Sequence, residues 1–168
     1  MSLRVATERL VITALTEDMA GAIQRQSLDA ATRRFLPDEV FDTLEEAQKT
    51  VRELIQAYQS PDGPFVQAVL HGHALVGYVQ LCRIGEGWEI GYHIGEEYRG
   101  RGYAPESVRA FLPVIMARLG LREVWGVADE ENAASCRVLE KCGFALVERD
   151  VGLCHGETRP RRKYRYAL

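Results

Sequence analysis

No stretch of this chain approaches the roughly 18 uninterrupted apolar residues that mark a membrane-crossing helix. The first residues also lack the basic-then-apolar order of a secretory leader. A soluble, cytoplasmic protein with no membrane partner is expected. Excess positive charge is missing too: the net charge is −3 over 168 residues. That balance supplies no general field for nucleic acid, which usually needs a basic patch or stripe. Cysteine is scarce, and Cys82, Cys136, Cys142 and Cys154 show no Cys-x-x-Cys spacing. Reduced thiols are expected, because a chain of this size needs no disulfide framework. No metal is expected either. His71-x-His73 stands in a turn with no carboxylate or thiol beside it in sequence, Cys154-His155 is equally weak, and a zinc site needs three or four ligands. Internal repeats, linkers and low-complexity tracts are absent, and the apolar content suits one core. Residues 1–168 are therefore expected to form a single domain.

What is present is concentrated in Tyr98-Arg99-Gly100-Arg101-Gly102-Tyr103-Ala104-Pro105, between a strand-like segment at 88–94 and a helix-like one at 105–119. Gly100 and Gly102 have no Cβ, so the backbone there can come close to a ligand. The first amides of a helix lack intrahelical partners and add to the positive end of its dipole. A glycine turn opening a helix is thus suited to phosphate. Arg99 and Arg101 add positive charge and fork-shaped donors. A Walker-type loop would carry Lys-Ser/Thr where Tyr103-Ala104 stand, which argues against ATP or GTP. A dinucleotide fingerprint would need a small residue in place of Pro105. The competing reading is a purely structural left-handed turn.

Around this motif the chain reads as an alternation of strands and helices. Residues 10–14 suggest a first strand, and Thr16 a cap for a helix reaching about Leu28. Thr43-x-x-Glu46 is a capping box, followed by Ala47, Val51, Leu54, Ile55 and Tyr58 at helical spacing. Residues 65–70, 74–84 and 88–94 form an antiparallel meander with turns at His71-Gly72-His73 and Gly85-Glu86-Gly87. A helix from Pro105, its proline at a favoured first position, stops at Gly120 and leads to a strand at 123–127. Strand, crossover helix and strand imply a right-handed parallel pair. A helix over 132–142 and strands at 145–151 and 163–167 complete the chain. In the last of these, Lys163, Arg165 and Ala167 alternate with Tyr164, Tyr166 and Leu168, as on an edge strand with a charged outer face. The fold class is α/β (α+β): a mixed, mostly antiparallel sheet of about seven strands with helices on both faces.

Several motifs together resemble the GNAT family of N-acetyltransferases. Arg99-x-x-Gly102-x-Ala104 is similar to the family's Gln/Arg-x-x-Gly-x-Gly/Ala signature, which wraps the pyrophosphate of coenzyme A. Asn132-Ala133-Ala134-Ser135, followed by Glu140-Lys141-Cys142-Gly143-Phe144, resembles the family's Asn-x-x-Ser and Glu-Lys-x-Gly-Phe segment. Thr7-Glu8-Arg9-Leu10 resembles the opening strand of the ribosomal-protein alanine and serine N-terminal acetyltransferases. Leu75-Val76-Gly77-Tyr78-Val79 and Glu89-Ile90-Gly91-Tyr92 resemble that subgroup's third and fourth strands.

The resemblance implies acetyl-CoA as cosubstrate and direct attack by a primary amine, from a protein N-terminus or a small molecule. It implies that the two parallel strands splay apart and that the backbone around His93 and Ile94 holds the pantetheine and acetyl carbonyl. Asn132 would bond the pantetheine, and Ser135 would lie near the sulfur, where many relatives place a tyrosine acid; 132–144 holds no tyrosine. The loop residues Arg99, Gly100, Arg101, Gly102, Tyr103 and Ala104 complete the expected cofactor site. Relatives are often homodimers.

Strand alternation places Glu89, Gly91 and His93 on one face. Glu89 is the candidate base, since burial in a cleft would suit it to take a proton from an amine; the competing reading is a Glu paired with an Arg across the sheet. His93 is a rival on the same face. Helix capping competes with catalysis for Asn132 and Ser135. The segment Arg33-Arg34-Phe35-Leu36-Pro37 would line the amine pocket or contribute to the core. An alternative from a different class is a non-catalytic acyl-CoA-binding module that senses rather than transfers.

Overall fold

The computed structural model describes residues 3–154 and 156–168, with the Cys154 side chain also outside that description. The Cys154-His155 pair therefore falls outside the described residues. Its strands are β1 (Val5–Ala6), β2 (Val11–Ala14), β3 (Phe65–His71), β4 (Ala74–Ile84), β5 (Gly87–Ile94), β6 (Glu123–Asp129), β7 (Ala145–Cys154) and β8 (Glu157–Ala167). Its helices are α1 (Ala20–Gln26), α2 (Ala30–Phe35), α3 (Leu44–Ala57), α4 (Tyr103–Leu119) and α5 (Ala133–Lys141). The strands form one sheet in the order β1-β2-β3-β4-β5-β6-β8-β7. Every pairing is antiparallel except β5 with β6.

Helices cover both faces, as the hydrophobic pattern requires. Phe111, Leu112, Ile115 and Met116 of α4 and Leu139 of α5 pack with Val79, Leu81, Trp88, Ile90 and Val124 of the sheet. Ile23 of α1 and Val51 of α3 pack with Val66, Ala68 and Tyr78 on the opposite face. Phe111 is fully buried, so truncation to Ala would cost about 3–5 kcal/mol in transfer and cavity energy. The Thr43–Glu46 capping box forms, with Thr43 Oγ1 accepting from Glu46 N–H and Glu46 from Thr43 N–H. Gly120 ends α4 at φ 65°, and Leu121 N–H reaches back to Met116 C=O.

Three expectations need correction. The helix expected from Thr16 to Leu28 is divided: a 3-10 turn at Glu17–Met19, then α1, then a separate α2. Thr16 makes no cap; Asp29 does, accepting from the amides of Ala31 and Thr32, and so starts α2 afresh. α4 begins at Tyr103 rather than Pro105, with Gly102 as N-cap, so Pro105 occupies the third helical position. Proline is tolerated there because first-turn amides have no partner in any case. The C-terminal strand is internal: β8 lies between β6 and β7, and β7 is the edge. Its basic residues face acidic ones, Arg161 meeting Asp150 and Lys163 meeting Glu148 and Asp150. The short β1 raises the strand number to eight.

Candidate active site

β5 and β6 run parallel but share one bridge, Glu89 with Trp125. Beyond it toward their C-terminal ends, the two strands make no further pair. β5 is meanwhile fully paired with β4 from Gly87 to Ile94, and β6 with β8 from Glu123 to Asp129. The two strands diverge into a gap edged by unpaired backbone, which requires a partner.

Alternation decides which groups face that gap. Gly95 N–H donates to Val76 C=O, so Gly95 faces β4. The His93 carbonyl also lies against β4, since a Cβ on Gly77 would sit 2.0 Å from it. Ile94 and Tyr92 therefore turn their peptide groups toward β6. Of the pair singled out for the backbone role, Ile94 turns its N–H toward the gap while His93 turns its carbonyl toward β4; Tyr92 shares the direction of Ile94. The Ile94 carbonyl is occupied by Arg99 Nε at 2.9 Å, leaving its N–H for the gap.

The glycine loop opens onto the same end of β5. Gly100 and Gly102 sit at φ 75° and 80°, conformations that favour glycine. A Cβ on Gly100 would meet nothing within 4 Å, so the loop presents open space above its backbone. The first α4 hydrogen bond is from Glu106 N–H to Gly102 C=O at 3.2 Å, upstream of which lie the amides of Tyr103 and Ala104. The Tyr103 ring is buried beneath Arg9 and against His71, at 4.9 and 5.4 Å. The ring is thus turned inward, and the exposed His71 stacks on it. Arg9 also reaches Arg101 C=O at 3.0 Å and pairs with Glu106. Burial would raise the Glu106 carboxyl, but bonds from Thr7 and Arg9 outweigh it and hold the group below its ordinary range. Arg9 thereby neutralises an acid that would otherwise oppose a phosphate at this helix start.

The two loop arginines differ. Arg101 is exposed, donating to Glu97 C=O at 3.1 Å. Arg99 is anchored: both terminal nitrogens fork onto Asp29, whose side chain is 6% exposed. The mobile charge expected of Arg99 is thus spent on holding α2 against the end of β5.

At the other wall, Asn132 caps α5, its Oδ1 accepting from Ser135 N–H at 3.1 Å. Ser135 does not cap. Its Oγ and its carbonyl oxygen each lie 2.9 Å from the Tyr92 hydroxyl, which crosses from β5. Burial, above all, pushes the Tyr92 phenol well above its ordinary value, so it stays protonated.

On the opposite face, Glu89 is half-buried and stands in register with Cys82 of β4. Glu39, just before the loop into α3, accepts from the Tyr78 hydroxyl and from Gln80 Nε2. Burial, then the charges of Glu39 and Glu89, push the Cys82 thiol up to about 11. The two carboxylates thus share one neighbourhood with a neutral thiol. His93 stacks on Tyr78 at 5.2 Å, and its Nε2 is 2.9 Å from Thr32 Oγ1. Thr32 gives its proton to Asp29 at 2.6 Å, so His93 must donate from Nε2, leaving a lone pair on a buried, unpartnered Nδ1. Burial, then the Arg99 charge, lower His93 to about 4. A neutral imidazole that weak is a poor base for an ammonium.

The segment at 33–37 frames the mouth. Arg34 pairs with Glu131 on the loop before α5, spanning from α2 to the far wall. A cavity of about 110 Å³ lies between, lined by Arg33, Arg34, Phe35, Pro37, Asp129, Glu157 and Arg159. Phe35 lines this space and belongs to neither core cluster. A larger cavity of about 670 Å³ lies beside Gln26, Leu75 and Tyr98 and contains none of the reactive candidates.

Sequence reasoning missed Arg9, Asp29, Thr32, Glu39 and Tyr92. Asp29-x-x-Thr32 carries a helix-cap signal that would have revealed α2. Nothing local marks Glu39 or Tyr92, whose roles depend on strand neighbours.

The chain is similar to known proteins in sequence and in fold. The N-acetyltransferase YnaD of Bacillus subtilis (strain 168), named as uncharacterized, is 25% identical over 145 residues, covering 84% of this chain and 82% of that protein. Among solved structures, a GNAT-family acetyltransferase from Bacillus anthracis superposes with a TM-score of 0.86 at 22% identity, covering 98% of each chain. RimL, a ribosomal L7/L12 alpha-N-protein acetyltransferase in complex with coenzyme A, superposes with a TM-score of 0.84 at 19% identity, covering 99% of this chain and 98% of that one. The acetyltransferase (GNAT) domain matches residues 9–145, and with its splayed strands and glycine loop this chain belongs to the GNAT acetyltransferase family.

Proposed function

We propose that this enzyme transfers an acetyl group from acetyl-CoA to a primary amine by direct attack within a ternary complex. The observation that carries the reading is the single Glu89–Trp125 bridge, which leaves the Tyr92 and Ile94 peptide groups facing a gap that ends at the glycine loop. A pantetheine arm, with its two amides, is chemically suited to act as a short strand in that gap, the logic of strand addition.

The amides around Gly100, Arg101, Gly102, Tyr103 and Ala104 hold the diphosphate, with Arg101 as the mobile cation and Arg99 as the anchor behind. Asn132 fixes the start of α5 beside the arm, and His93 braces the other face of β5. Ile94 N–H is the donor for the carbonyl oxygen as it gains charge. The amine enters on the face of Glu39 and Glu89, whose charges favour an ammonium. An alkyl ammonium is unreactive near pH 7 until it loses a proton, and Glu89 is the base that takes it. Holding the two reactants in line supplies much of the remaining acceleration.

RimL is named for acting on the N-terminus of a ribosomal protein, and another neighbour, MccE, is a microcin C7 self-immunity acetyltransferase solved with acetyl-CoA and AMP. The first name supports an N-terminal amine as acceptor, and the second supports acetyl-CoA as donor. The test is calorimetry with acetyl-CoA, then an acceptor screen including short peptides, read by thiol release. Binding followed by release with at least one amine is expected. Binding without release to any amine would indicate the sensing module instead, and no binding would end both readings.

A further inference from the structure

We propose that Tyr92 is a positioning residue that sets the direction of the Ser135 hydroxyl proton, so that this hydroxyl faces the leaving sulfur. The inference rests on the acetyl-transfer reading above. The helix that faces the gap carries no tyrosine, and the phenol that reaches Ser135 comes from the strand opposite.

The Tyr92 hydroxyl has one proton and two acceptors, the Ser135 carbonyl oxygen and Oγ, each at 2.9 Å. With that proton on the carbonyl, the Ser135 hydroxyl is free to donate back to the phenol. With it on Oγ, the Ser135 proton has to turn away from Tyr92. The switch needs no movement of heavy atoms. Both ends are held: Tyr92 packs against the cluster containing α4 and α5, and Ser135 N–H is tied to Asn132. The phenol keeps its proton, so it acts as a donor and not as an acid.

In the reaction the amine nitrogen bonds the acetyl carbon, the C–S bond breaks, and its electron pair leaves on sulfur. Glu89 passes the proton it takes from the ammonium to solvent before attack, and takes the second nitrogen proton as the C–S bond breaks. Ser135 donates a hydrogen bond to the thiolate while Tyr92 donates to Oγ, which offsets the charge drawn from the serine. Both hydroxyls keep their protons, and solvent protonates the thiolate after release.

The experiment compares wild type, Tyr92→Phe, Ser135→Ala and the double variant, using acetyl-CoA calorimetry, thermal melting and steady-state kinetics with the best amine of the screen. Tyr92→Phe is expected to lower kcat about 10-fold with the KM for acetyl-CoA within about 2-fold, and to add nothing in the Ser135→Ala background. Full kcat in Tyr92→Phe, or an equal loss with and without Ser135, would overturn the proposal while leaving acetyl transfer intact. Absence of acetyl-CoA binding to the wild type would remove the underlying reading itself. Should Tyr92→Phe fail to fold, 3-fluorotyrosine at this position keeps the ring and hydroxyl; a changed kcat only where Ser135 is present supports the role, and an unchanged one removes it.

Discussion

Arg99 holds Asp29 through both terminal nitrogens, at 3.0 and 2.9 Å, while its Nε donates to the Ile94 carbonyl at 2.9 Å. One loop residue therefore fastens the cap of α2 to the last residue of β5. Lysine cannot reproduce a fork of this kind. Because Asp29 is buried and Arg99 is about a third exposed, Arg99→Lys should cost about 1–2 kcal/mol, between surface and buried ion pairs. Urea unfolding measures it, and an unchanged midpoint would show that the pair contributes nothing.

The same network makes stability pH-dependent. Burial, then the Arg99 charge, hold His93 at about 4 against an ordinary 6.5. Between those values the unfolded chain binds more protons, so the contribution is complete above 6.5 and lost as pH falls toward 4. The span corresponds to ~3 kcal/mol at most. His93→Gln should flatten the stability profile in that window. Burial would raise Asp29, but the Arg99 and Thr32 bonds outweigh it and hold it well below the carboxylate range. Its contribution is present above the unfolded value of about 3.9 and disappears below it, a separate acid limb that Asp29→Asn should remove.

Gly100 and Gly85 make a matched pair. Both have positive φ, 75° and 58°, and a Cβ on either would meet nothing within 4 Å. Alanine at each should cost a similar ~1 kcal/mol in backbone strain. Only Gly100→Ala places a methyl over the glycine loop, so it alone should weaken acetyl-CoA binding, by about 10-fold or more (roughly 1.4 kcal/mol) in calorimetry. Equal affinities for the two variants would remove the loop from the cofactor site.

Glu89→Gln should lower kcat by about 10²-fold or more with acetyl-CoA affinity retained, the usual range for removing a general base. Full activity in this variant would return Glu89 to a structural role.

Cys82 reports on the same carboxylates. Its thiol stands at about 11 through burial and then the Glu39 and Glu89 charges. Removing a negative charge favours the thiolate, so Glu39→Gln should lower the pH at which Cys82 reacts with iodoacetamide, and should raise the KM for the amine. An unmoved alkylation profile would place Glu39 too far away to act.

How much of this was legible follows the range of each interaction. The Thr43 box, the Gly120 stop and the meander of β3, β4 and β5 are fixed by residues within a few positions, and they form as the pattern requires. The glycine loop is similarly local, although α4 starts two residues before Pro105. Thr16 misled because a hydroxyl before a helical stretch does not reveal that Asp29 will restart the helix. The C-terminal strand misled because alternation is the same for an edge strand and for β8, whose basic residues meet acids on a neighbour far away in sequence. Glu39, Tyr92 and the Arg99–Asp29 fork are products of topology alone, each joining residues at least 39 positions apart.

One bridge between β5 and β6 means that, in its strand hydrogen bonding, the sheet is two panels joined at a single point, with the core beneath α4 and α5 shared by both. β1 to β5 form one panel and β6, β8 and β7 the other, with α4 as the strap between them. Force or heat should part the protein along this seam first. A guest whose amides span the seam acts as mortar, and the melting temperature should climb with the logarithm of its concentration.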